Sequence, residues 1–164
     1  MSKYQNPQRI EEALEAAIDE FLKQMLTKYL PKVDRTVYRM DQTLKTIDQL
    51  TRIANDVDPY ALEVFSKDLK LEDDSLLVMF LDKLFEESKD LNEELDKVSP
   101  NTQGYSTKYR IAYMKEDPMQ YGKITPEITT KWESITKLCK KIAMLLGYMK
   151  ETVEKVRDQR LLEK

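Results

Sequence analysis

Two pairs of carboxylates are the first residues in this chain whose spacing suggests chemistry. Glu12-x-x-Glu15 and Glu87-x-x-Asp90 each place two acids on one helical face. The combined ExxE…ExxD arrangement could hold magnesium against the phosphates of a nucleotide. Such a site would make the chain a magnesium-dependent nucleotide hydrolase of the all-α type. Periodicity argues against it. Glu11, Glu12 and Glu15 fall opposite the apolar stripe Ile10–Leu14–Ala17–Phe21, so they should face water, and about 70 residues separate the two pairs. An acidic, solvated face near a helix N-terminus accounts for them better.

Other chemistry is limited by composition. There is no histidine, which removes Ser-His-Asp and Cys-His catalysis and histidine-ligated metals. The lone Cys139 can form neither an internal disulfide nor a zinc cluster. It lies on an apolar seam and reads as a small core residue. The expectation is a chain with no catalytic residue, no metal and no cofactor: not an enzyme.

The stretch 103–127, QGYSTKYRIAYMKEDPMQYGKITPE, interleaves Tyr105, Tyr109, Tyr113 and Tyr121 with Lys108, Arg110, Lys115 and Lys123. At 100° per residue Tyr105, Tyr109, Ala112 and Tyr113 share a narrow arc, with Lys108 and Lys115 on one flank and Arg110 on the other. Aromatics bordered by cations can stack bases and neutralise phosphates. The same pattern also describes a core face whose hydroxyls reach a wet rim while lysine stems lie alongside.

The elements that would position these groups are all helical. Only three glycines occur in 164 residues, against a usual share of about 7%. Prolines and their preceding caps divide the chain into helices over about 7–30, 33–56, 59–70, 75–98, 105–116 and 126–161. Three of them carry an alternating 4-3 apolar spacing. The stripes are Val33, Val37, Met40, Leu44, Ile47, Thr51 and Ala54; then Leu77, Leu81, Leu84, Ser88, Leu91, Leu95 and Val98. The third runs Ile128, Trp132, Ile135, Cys139, Ile142, Leu146, Met149, Val153 and Val156. A 3.5-residue period predicts coiled-coil-like packing, and short connections predict antiparallel neighbours. The expected fold is an all-α helical bundle of four long helices plus two short ones, in one domain spanning 1–164.

Lengths do not match within that bundle. A last helix of about 35 residues spans on the order of 50 Å, while its partners at about 24 span roughly 36 Å. The end, 153–164, is therefore expected to overhang. Either it is a solvated terminus, or its Val153, Val156, Leu161 and Leu162 dock on another copy or subunit. Gly147, inside the same helix, costs about 1 kcal/mol against alanine, and close approach of a neighbour is its expected benefit.

The net charge of −3 is unevenly spread: residues 1–100 balance to −8 (14 Lys/Arg against 22 Asp/Glu) and residues 101–164 to +5 (13 against 8). The basic third could meet a polyanion, the chain's own acidic part, or a neighbouring copy. No run of about 18 apolar residues exists, so no membrane span is expected. No secretory leader is expected either, which with the single cysteine places the chain inside the cell, in cytoplasm or nucleus.

Two segments, STKYRIAYMKED (106–117) and KWESITKLCKKIAMLLGYMKE (131–151), resemble the small all-helical subunits of type III (Csm and Cmr) CRISPR effector complexes. The first is similar to the family's short basic helix with an aliphatic-Ala-Tyr/Phe core, the second to its closing helix. The chain departs from the family in lacking histidine and in its long acidic first 100 residues. The resemblance implies contact with RNA backbone through Lys108, Arg110, Lys115 and Lys150, with Tyr105 and Tyr109 beside them. The expectation is a non-enzymatic subunit acting by protein–protein contact, its partner another protein or another copy. The alternative is an RNA-contacting subunit of the type III CRISPR kind.

Overall fold

The computed structural model describes residues 33–67, 69 and 75–162. The expected helix over 7–30, with Glu12 and Glu15, lies outside them. The described residues form helices and turns with no strand: α1 (Val33–Asn55), α2 (Pro59–Ser66), α3 (Leu76–Val98), a 3-10 turn (Pro100–Thr102), α4 (Thr107–Glu116), α5 (Pro118–Tyr121) and α6 (Pro126–Leu162). The 3-10 turn and α5 fall where the sequence suggests only breaks.

Boundaries follow local chemistry. Asp58 caps α2, its Oδ1 accepting from the Ala61 amide at 3.2 Å, with Pro59 at the first helical position. Ser75 caps α3 by accepting from the Val78 amide, and Thr125 caps α6 by accepting from Ile128. The end of α1 closes on two backbone bonds, Val57 N–H to Ala54 and Asp58 N–H to Ile53. This closure puts Val57 at φ 53, a left-handed conformation that a β-branched residue rarely adopts.

The apolar stripes are the core. Met40, Leu44, Ile47 and Ala54 of α1 are buried, joined by Leu50, and Thr51 instead donates its hydroxyl to the Ile47 carbonyl. In α3 the buried stripe is Leu77, Leu81, Leu84, Ser88, Leu91 and Leu95, plus Phe80. In α6 every expected position except Trp132 is buried, and Leu138 and Leu145 widen the stripe to two rows.

Directions can be read from pairs between helices. Asp41 pairs with Arg157 at 3.1 Å and Asp48 with Lys150 at 2.7 Å, so α1 runs antiparallel to the second half of α6. Ser134 donates to Glu87 at 2.7 Å, and Gly122, just ahead of α6, lies against the Val98 carbonyl. Hence α3 also runs antiparallel to α6, but along its first half. α1 and α3 make no extended contact with each other, and α2 bridges them. Among the described long helices, the antiparallel neighbours are the pairs with α6. α1 and α3 follow one another in the same direction along it.

This arrangement corrects the expected overhang. α6 has 37 residues, about 55 Å, and α1 lies along the part that seemed unmatched. Val153 and Val156 are buried, so they are unavailable for docking on a partner, whereas Leu161 and Leu162 are exposed. Gly147 is corrected too. A Cβ built there meets nothing within 4 Å, so no neighbour needs the space. Gly122 is the glycine under constraint: its φ is +106 and an added Cβ would lie 2.5 Å from the Val98 carbonyl oxygen.

Candidate interaction surface

Tyr121 packs against the core, but the other three tyrosines of 103–127 do not. Tyr105 and Tyr109 are 55% and 56% exposed, and Tyr113 and Tyr121 are half-buried. Tyr113 is the hub of the cluster. Its ring meets Tyr105 edge-on at 5.3 Å, Tyr121 at 5.4 Å and Tyr109 in a stacked arrangement at 6.5 Å. Met119, on α5, is 97% exposed. Rings that pack on one another hold their rotamers before anything binds, which lowers the ordering cost of contact.

The inward face of α4 is Thr107, Arg110, Ile111 and Met114. Arg110, expected as a surface cation, is only 3% exposed. Its guanidinium is satisfied from several sides. Nη2 lies 2.8 Å from Asp96 Oδ1 and donates to the Ser99 carbonyl at 3.2 Å. Nε donates to Thr102 Oγ1 at 2.9 Å and Nη1 to Asn92 Oδ1 at 3.3 Å. Asn92 Nδ2 in turn donates to Thr107 Oγ1 and to the Ser88 carbonyl. A buried guanidinium is tolerable only when paired and hydrogen-bonded, and here each of its nitrogens has a partner. Arg110 therefore cannot neutralise a phosphate in this fold. Asn92, Asp96 and Ser99 step 4-3 along the end of α3. That polar stripe is the sequence signal for a charged group packing there.

The other cations divide. Lys150 is held by Asp48 at 2.7 Å and Glu154 at 3.8 Å, and Asp48's hydrogen bond and charge raise its pKa. Lys108, Lys115 and Lys123 are exposed, and none has an ion-pair partner. The structure thus keeps Tyr105, Lys108, Tyr109 and Lys115 together on one surface and withdraws Arg110 and Lys150 from it.

Of the four carboxylates only Glu87 and Asp90 lie among the described residues, and they meet different surroundings. Glu87 accepts from Ser134 and sits 3.5 Å from Lys83, while Asp90 points to solvent. Among the described residues no cluster of three or more potential metal ligands occurs, and no helix is long and apolar enough to cross a membrane. Cys139 is a buried free thiol, pushed up to about 12 by burial first and by the charge of Asp58 second.

Comparison with protein-family models, curated proteins and solved structures finds no match for this chain.

Proposed function

We propose that the chain is a non-catalytic helical subunit that works by protein–protein contact within a larger assembly. The observation that supports this reading is the tyrosine face of α4 and α5, with Tyr105, Tyr109 and Met119 open to solvent. Tyrosine and methionine are enriched where protein surfaces meet. We read the pairing of α1 with α6 as coiled-coil-like. Its two ion pairs step by seven residues on both helices, from Asp41 to Asp48 and from Lys150 to Arg157. A single cysteine kept as a buried thiol suits a reducing intracellular compartment.

The alternative, RNA-backbone contact by a small subunit of a type III CRISPR-like ribonucleoprotein, would use the same face. Of its four candidate cations only Lys108 and Lys115 are free, because Arg110 is buried and Lys150 is paired. Protein contact is therefore the preferred reading.

Native purification at low salt tests it, comparing the unaltered chain with a Tyr105→Ala, Tyr109→Ala double variant. A protein partner should be retained by the first and lost by the second, with thermal melting of the isolated chains nearly unchanged. An eluate containing RNA alone, removed by nuclease, would overturn protein contact in favour of the alternative.

A further inference from the structure

The joint between α1 and α2 is held in a conformation that its residue disfavours. Val57, at φ 53, is the one non-glycine residue with a positive φ among those described. A β-branched side chain suits extended backbone and meets steric resistance in the left-handed region. Asn55 and Asp56, just before it, are of types that tolerate that region better. The following residues favour extension. Asp58, at φ −116 and ψ 86, lies outside the helical region, as a residue before proline is biased to do, and Pro59 opens α2. Residues 56–58 are the only link from α1 to the described chain that follows. Two backbone hydrogen bonds, from Val57 to Ala54 and from Asp58 to Ile53, hold that link folded back.

Among the described helices α1 packs along α6 and against α2, with no extended contact to α3. Its buried Met40, Leu44, Ile47 and Ala54 and its ion pairs Asp41–Arg157 and Asp48–Lys150 are contacts that a second copy presents identically. We propose that α1 is exchanged between two copies of this chain: Val57 relaxes to extended backbone, and each α1 lies on the α6 of the other copy. Exchange preserves every contact of α1, so monomer and dimer differ in the hinge and in the cost of association. Three extended residues reach about 10 Å, and a short hinge under strain favours exchange. Strain is relieved at two hinges per dimer, against a loss of translational freedom that rising concentration offsets. Tyr105 and Tyr109 take no part, so the exchange stands apart from the protein-contact reading.

Sedimentation velocity and native mass spectrometry of the full chain over a wide concentration range test it. Dimer should grow with concentration at unchanged helicity and should exchange slowly, since α1 must open for it to form. Val57→Gly, which removes the strain, should weaken the dimer about tenfold or more. Tyr105→Ala with Tyr109→Ala should leave it intact. Charge complementation identifies the surfaces. One copy carries Asp41→Lys and Asp48→Lys, the other Lys150→Glu and Arg157→Glu. Refolded together they should give a heterodimer in preference to either homodimer, because only exchange between the two restores opposite charges at both α1–α6 pairings. If either charge variant is unfolded alone, recovery of helicity in the mixture reads the same event. A chain that stays monomeric throughout, a dimer as tight in Val57→Gly as in the unaltered chain, a dimer lost with the tyrosines, or a mixture without heterodimer would each overturn the proposal.

Discussion

Lys108 and Arg110 sit two residues apart on one short helix and meet opposite environments. Lys108 is in water, while Arg110 is enclosed by Asn92, Asp96, Ser99 and Thr102. The planar guanidinium, with five donors, can satisfy itself against several acceptors, which an ammonium on a flexible stem does less well. Cys139 gives a second residue-scale consequence. Its folded thiol titrates near 12, above the 9.0 of an unperturbed thiol. The unfolded chain therefore loses this proton first as pH rises. Stability from the buried thiol is fully present below about pH 9 and is lost progressively toward 12, with a slope approaching 1.4 kcal/mol per pH unit at most. Denaturation midpoints of the chain and of Cys139→Ala, compared from pH 8 to 11, should show a steeper alkaline decline in the unaltered chain. Parallel curves would mean the thiol is not buried as described.

At the scale of elements, α4 is tied in by Arg110 as well as by its apolar contacts. Ile111 and Met114 are buried, but Arg110 links α4 to α3 and to the 3-10 turn at once. Arg110→Ala should cost roughly 2–4 kcal/mol, since it empties a buried site and takes away the donor to buried Thr102 Oγ1. Amide hydrogen exchange should quicken across 107–116 while the α1–α6 pairing keeps its protection. Arg110→Lys should recover little of the loss. A midpoint unchanged in Arg110→Ala would show that α4 is held by apolar packing alone. Asn92, Asp96 and Ser99 were legible as a polar stripe, but nothing in sequence order links them to position 110. Their meeting needs the chain to reverse through Ser99–Ser106.

At the scale of the molecule, α6 is the spine shared by two tandem helices. Ile142 is fully buried near the level where cover of α6 passes from the start of α3 to the end of α1. Ile142→Ala should therefore cost about 2–5 kcal/mol through the cavity it leaves. Both halves should feel the loss together. Fluorescence of the sole tryptophan, Trp132, on the α3 half, and far-ultraviolet circular dichroism should give one coincident, lowered transition. Two separated transitions would show that the halves fold independently along α6.

What sequence alone determined was the all-helical class, the five helices that carry caps or proline breaks, and nearly every buried position in α1, α3 and α6. These are properties of neighbours along the chain: capping chemistry, proline geometry, and a stripe whose period fixes which face is apolar. Tertiary structure alone decided which helix covers which part of α6, and so buried Val153 and Val156 that length arithmetic had left over. It also decided that the tyrosine arc of α4 faces water while Arg110 faces in. A short helix with polar and apolar side chains all round has no strongly preferred face of its own, so the acceptors waiting on α3 chose its orientation.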